Sequence, residues 1–177
     1  MPDLPLRGRR IAVLAERLYE DLELWYPLLR FREEGAETVV VAPRSGEYQS
    51  KRGYPVQAEF AASAVRAEDF DAVVVPGGYC PDYLRRDPHS VRVVAEVAGR
   101  GGIVAAICHG GWMLCSAGVL RGRRATSHAA IRDDMVNAGA AWEDAAVVVD
   151  GPVVTSRAPS DLPVFCRAIA DRLREGR

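Results

Sequence analysis

The chain has 177 residues, 49% of them apolar and 27% charged, a balance that suits one globular domain with a full hydrophobic core and excludes a disordered chain. Its formal charge of −1 predicts neither a nucleic-acid nor an anionic-membrane partner. No stretch approaches the roughly 18 apolar residues of a membrane span.

The start, Met1-Pro2-Asp3-Leu4-Pro5, lacks the basic opening and long apolar segment of a secretory leader. Four cysteines (Cys80, Cys108, Cys115, Cys166) show neither metal-ligand spacing nor a dense disulfide framework, so a reducing cytoplasm is expected. Cys108 and Cys115 lie two helical turns apart, about 10 Å by helix rise and too far to bridge. Arginine supplies every basic residue except Lys51, a usage that reads as codon bias without functional content.

Arg10 to Ala15 is a short apolar run fit for a buried strand. Asp21 to Gly35 has helical spacing, with Leu22, Trp25, Leu28, Leu29 and Phe31 on or near one face, and Pro27 kinking the helix or marking where its regular part begins. Glu37 to Ala42 is a second strand. Pro43 to Ser63 is polar and turn-rich, and its alternation around Tyr54, Val56 and Ala58 suggests a small hairpin. Asp71 to Pro76 is a third core strand ending in Gly77-Gly78. His89 to Arg100 is helical, Ile103 to Ile107 is the fourth core strand, and a helix runs from Cys108 to about Gly118. Thr126 to Gly139 holds another helix. Val147–Asp150 and Val153–Ser156 flank a Gly151-Pro152 turn, and Asp161 to Leu173 closes the chain as an amphipathic helix. Strands alternating with helices in this way predict a mostly parallel sheet covered on both faces, in one domain over residues 1–177.

The buried run Ile103–Ile107 ends at Cys108, and helix-like sequence follows at once. Ala106 and Gly110 stand two residues before and two after the cysteine, the small-x-nucleophile-x-small spacing that a tight strand-to-helix elbow demands. A thiol so placed has its thiolate favoured by the helix dipole and by free backbone N–H groups. Gly77-Gly78 ends the third strand in a turn without side chains, so the N–H of Gly78 and that of His109 could form an oxyanion hole. Glu20, Asp21 and Glu23 open the first helix near the same sheet edge. A carboxyl there would have its pKa raised by like charge and burial, but the residues alone do not choose among the three. Of three histidines, His89 reads as a surface helix-start residue, whereas His109 and His128 are candidate bases.

These pieces resemble the ThiJ/PfpI superfamily, in particular its PfpI-type intracellular protease branch. The resemblance runs from about Arg10 to Leu173, through Glu20–Pro27 (EDLELWYP), Phe70–Gly78 (FDAVVVPGG), Ala106–Gly110 (AICHG), Ser116–Arg123 (SAGVLRGR), Asp133–Gly139 (DDMVNAG) and Thr155–Leu162 (TSRAPSDL). It implies a flavodoxin-like three-layer α/β sandwich with a mostly parallel sheet, assembled as a homodimer or a higher homo-oligomer such as a hexamer. It implies Cys108 as nucleophile, Glu23 (four before Pro27) as the carboxyl contacting it, and the Gly78 and His109 N–H groups around a bound carbonyl oxygen. It also implies that His109 pairs with an acidic residue of a neighbouring subunit; the matching position is Asp82, one methylene shorter than the usual glutamate. His128 falls where glyoxalase- and deglycase-active members carry an active-site histidine.

Three functions follow from this mixture, none needing a cofactor or metal. The first is glyoxalase III- or deglycase-type chemistry on small α-oxoaldehydes or their early adducts on protein side chains, carried by Cys108, Glu23 and His128. The second is a cysteine peptidase using Cys108, His109 and Asp82, although neighbours on one helix do not face each other, which strains a Cys108–His109 pair. The third is a redox sensor or stress chaperone, since an exposed thiolate beside a protonated carboxyl is prone to sulfinic oxidation. A downstream His-x-Glu pair is absent, which disfavours glutaminase activity.

Overall fold

A computed structural model describes residues 4–176; the opening Met1-Pro2-Asp3 on which the leader argument partly rests lies outside the described residues. In chain order the elements are β1 (Arg10–Leu14), α1 (Asp21–Glu33), β2 (Glu37–Ala42), β3 (Gly46–Gln49), β4 (Pro55–Ala58), β5 (Phe60–Ala61), β6 (Ala72–Val75), α2 (Cys80–Leu84) and α3 (Pro88–Gly99). There follow β7 (Ile103–Ile107), α4 (Gly111–Ser116), β8 (Arg124–Ala125), α5 (Arg132–Asn137), β9 (Ala141–Trp142), β10 (Val147–Asp150), β11 (Val153–Ser156) and α6 (Leu162–Glu175).

Seven strands form the central sheet in the order β10-β11-β7-β6-β1-β2-β5. All its pairings are parallel except the β10–β11 hairpin. Helices α1 and α6 pack together as one layer, and α3 and α4 form the other. The fold is therefore the flavodoxin-like α/β sandwich. Because both faces are covered, residues 11–14, 72–75 and 104–107 read as unbroken apolar runs and are all essentially inaccessible. The chain leaves β1 in one direction along the sheet to reach β2 and returns to its other side at β6. Ligands of open α/β sheets bind at such a reversal, beyond the carboxyl ends of the strands.

Four details depart from the reading of the sequence. Leu22 and Leu29 are 56% and 55% exposed, and the buried face of α1 is instead Glu23, Leu24, Pro27, Leu28 and Phe31. An acidic residue thus points inward where a leucine was expected. Pro27 lies inside α1, where it has no N–H to donate to the carbonyl of the residue four back, Glu23. The helix after Cys108 begins as a 3₁₀ turn over Cys108–Gly110 before α4 proper, and that within Thr126–Gly139 is likewise a short 3₁₀ turn followed by α5. The short elements α2, β5, β8 and β9 carry too little periodicity to be seen in advance; the β3–β4 hairpin appears where expected.

Candidate functional site

Cys108 is one of two described non-glycine residues with positive φ, at 59°, the other being Leu18 at 62°. The preceding Ile107 is extended, so the chain reverses sharply at the cysteine. A left-handed conformation costs an L-residue roughly 1–2 kcal/mol and persists only where the surroundings enforce it. Here they do: a Cβ on Gly110 would lie 2.5 Å from the carbonyl oxygen of Val75, so the turn can close against β6 only with a glycine at that position.

Gly77 is just as constrained. A Cβ there would meet Glu23 Oε2 at 2.6 Å, Cys108 Cβ at 2.8 Å and His109 N at 3.0 Å. Its bare backbone lets the start of α1 and the elbow approach from opposite sides. The Gly77 N–H donates to Glu23 Oε2 at 2.7 Å, while Glu23 Oε1 is buried with no protein hydrogen-bond partner. Of the three acidic candidates, Glu23 is the one that shares Gly77 with Cys108: Glu20 ion-pairs with Lys51, and Asp21 Oδ1 accepts from the Ser50 hydroxyl at 2.7 Å.

Burial pushes Glu23 up to about 7, with the neighbouring Glu20 adding to the rise and the Gly77 N–H opposing it. Burial also pushes the Cys108 thiol up to about 12, the negative charge of Glu23 adding to it. Desolvation and the Glu23 carboxyl thus oppose the thiolate, while the backbone N–H groups of His109 and Gly78 favour it. Those two N–H groups are the pair anticipated for an oxyanion.

His109 Nδ1 lies 3.2 Å from Cys108 Sγ, a contact that the helical-neighbour argument disfavoured. That argument assumed α-helical geometry; the left-handed φ at Cys108 and the 3₁₀ turn bring the two side chains to one side. Burial, then the positive charges available to His128 and Lys51, hold His109 below the usual histidine range. The His128 ring stacks on His109 with centroids 4.7 Å apart and planes 25° apart. His128 N–H donates to the Cys108 carbonyl at 3.2 Å, and His128 Nδ1 accepts the Ala130 N–H at 3.2 Å, which leaves Nε2 to carry the proton of the neutral ring. Trp142 donates to Ser127 Oγ at 3.0 Å, bracing this loop.

Asp82 is not brought to the thiol within the chain. It stands on α2 and ion-pairs with Arg86 one turn on. His89 is exposed near the start of α3, as anticipated. A cleft of about 470 Å³ joins Glu23, Gly78, Cys108, His109 and His128 with Glu20, Lys51, Arg52, Tyr79, Ala158 and Pro159. The last five were missed from the sequence. Only Lys51, the single lysine of the chain, offered a signal. Among the described residues no three histidine, cysteine or acidic side chains gather into a metal-binding group.

The arrangement is that of a half-buried thiol flanked by a carboxyl poised near neutrality, a basic nitrogen at contact distance and two converging N–H donors. A family model, the DJ-1/PfpI family, matches residues 9–172. The chain belongs to the DJ-1/PfpI family. Among DJ-1/PfpI relatives it is 42% identical over 165 residues to Deglycase PfpI of Pyrococcus furiosus, covering 93% of this chain and 99% of that protein. It is 41% identical over 163 residues to Protein/nucleic acid deglycase 2 of Escherichia coli, covering 90% and 95%. Its fold matches a two-domain protein of Anabaena variabilis containing DJ-1/ThiJ/PfpI-like and ferritin-like domains, with a TM-score of 0.92 and 44% identity over 94% of this chain. This DJ-1/PfpI chain spans 48% of that longer protein. No described helix is long and apolar enough to cross a membrane.

Proposed function

We propose that the protein is a cofactor-independent cysteine enzyme acting on α-oxoaldehydes and their early adducts with amines or thiols. The observation that carries this reading is Glu23, buried on Gly77 and held near neutrality beside the Cys108 thiol. A carboxyl with that pKa can give and take a proton at physiological pH. The naming of two relatives as deglycases agrees with it.

In this reaction Cys108 Sγ bonds to the aldehyde carbon as its proton passes to His109 Nδ1 and on to the former carbonyl oxygen, giving a hemithioacetal. The Gly78 and His109 N–H groups hold the charge that develops on that oxygen. Glu23 Oε1 takes the proton from the aldehyde carbon and returns it to the adjacent carbon, while His128 Nε2–H gives its proton to the keto oxygen to form an enediol and recovers one from the hydroxyl on the sulfur-bearing carbon as the thioester forms. The product is a thioester of Cys108. Water breaks its C–S bond, releasing a 2-hydroxy acid and restoring the thiol. The modest cleft suits a three-carbon aldehyde better than a polypeptide. Lactate formed from methylglyoxal by the purified protein, and lost in Cys108→Ser, is the expected result; absence of lactate at high enzyme concentration overturns the reading.

A peptidase reading is favoured by one observation, the 3.2 Å contact between Cys108 and His109. It requires Asp82 of another copy, released from Arg86, because within the chain Asp82 does not line the cleft that holds Cys108. Exposed Leu22, Tyr26 and Leu29 along α1 support a homodimer or higher assembly, up to the hexamer, and the mass in solution decides it. Equal cleavage of unfolded casein by the parent and by Asp82→Ala would remove the peptidase mechanism. The unpaired thiols of all four cysteines support a reducing compartment such as the cytoplasm.

A further inference from the structure

The hairpin tip between β3 and β4 is built more firmly than its exposure suggests. Ser50 is buried, and its hydroxyl accepts the N–H groups of Arg52 and Tyr54 at 3.0 Å each while donating to Asp21. Lys51 N–H donates to the Tyr19 carbonyl at 3.0 Å, and Gly53, at φ 83°, closes the turn onto the Ser50 carbonyl. The tip is thereby pinned to the start of α1, and it carries two cations into the wall of the cleft that holds Cys108.

These cations are not equivalent. Lys51 ion-pairs with Glu20, which holds the amine in its charged form, so it is a poor nucleophile toward an aldehyde. The Arg52 guanidinium has neither a hydrogen bond nor an ion pair among the described residues. The remaining nearby carboxylate, Asp21, is turned back onto Ser50, and Glu23 is uncharged for much of the time near neutrality. The rim of the cleft therefore carries one uncompensated planar cation.

We propose that Arg52, with Lys51 beside it, is an anion-recognition element, and that the preferred substrates carry a carboxylate or phosphate in addition to the reacting carbonyl. A guanidinium presents paired N–H donors that match the oxygens of either group, even from the exposed rim that Arg52 occupies. The proposal takes its carbonyl substrate from the function proposed above, but its test does not depend on turnover.

Iodoacetate and iodoacetamide alkylate thiols by the same displacement and are close in size, but only the first is an anion. The ratio of their rates at Cys108, followed by intact mass at low salt, is expected to fall about fivefold in Arg52→Gln, the factor for a contact of about 1 kcal/mol. It should largely recover in Arg52→Lys and fall in the parent at high salt. The iodoacetamide rate in each sample reports the integrity of the thiol and fold. A ratio unchanged by Arg52→Gln, or unaffected by salt, overturns the proposal. Acetate and inorganic phosphate, each used to protect Cys108 from iodoacetamide, separate the two anion classes; protection by neither also overturns it. Failure to turn over methylglyoxal would sink the proposed function and leave the alkylation ratio to decide this one.

Discussion

His109 Nδ1 approaches Cys108 Sγ to 3.2 Å although the two residues are neighbours in sequence. The approach exists because Cys108 is held at φ 59°, outside the helical region. The same conformation presents the His109 N–H to the sulfur, so one strained residue aligns both the ring and the backbone donor.

Relief of that strain is measurable. Cys108→Gly should raise the stability by about 1 kcal/mol, because glycine occupies positive φ without a Cβ penalty. Cys108→Ala keeps the penalty and should not gain as much. Urea unfolding of both variants checks the difference, and both should lose aldehyde turnover by at least about a thousandfold. Equal stability of the two would mean that the elbow is unstrained.

Gly77→Ala should damage the site more than any local propensity suggests. The added Cβ meets the backbone-anchored Cys108 Cβ at 2.8 Å and the carboxyl of Glu23 at 2.6 Å. Overpacking of this kind costs roughly 1–3 kcal/mol. Displacement of Glu23 from the Gly77 N–H should also lower kcat, and the thermal midpoint and kcat of this variant should fall together.

The pH dependence of stability follows from Glu23. Its folded pKa is raised from 4.5 to about 7, so the folded protein holds the proton more tightly than the unfolded chain. The stability it contributes is fully present below about pH 4.5 and is lost as pH rises through about 7. Linkage puts that loss at about 3 kcal/mol for a fully buried group. Glu23→Gln should flatten the stability profile between about pH 4.5 and pH 7, removing a fall of about 3 kcal/mol across that range. A profile in Glu23→Gln as steep as the parent's would assign the pH dependence to other groups.

The stacked histidines divide two tasks that can be separated. His109→Gln keeps the backbone donor and removes the ring nitrogen facing the thiol, and should slow alkylation and turnover by about a hundredfold. His128→Ala leaves the thiol contact in place and should slow turnover with little change in alkylation. Single-turnover kinetics beside iodoacetamide rates distinguish them. The His109 imidazole should also titrate below the usual histidine range in the parent, as seen by NMR.

The buried strands, the alternation with helices and the elbow were all legible in the sequence. Apolar runs follow from strands covered on both faces, and the Ala106-x-Cys108-x-Gly110 spacing follows from a turn that closes against Val75. These are short-range requirements, written where they act. Glu23 could not be distinguished from Glu20 and Asp21 by the same means, because which one faces inward depends on how α1 docks beside β6. The resemblance to relatives chose it, and the packing of Gly77 explains the choice.

What tertiary structure alone decided is protonation and neighbourhood. Sequence placed a thiol at a helix start, where the dipole favours the thiolate; partial burial beside a carboxyl pulls the other way, and that opposition is a property of the cleft. Sequence likewise treated Lys51 and Arg52 as ordinary hairpin residues, since nothing local links them to a cysteine more than fifty positions away. The reversal of the chain at β1 brings the hairpin, α1 and the elbow to one sheet edge, and only there do these residues share a cleft.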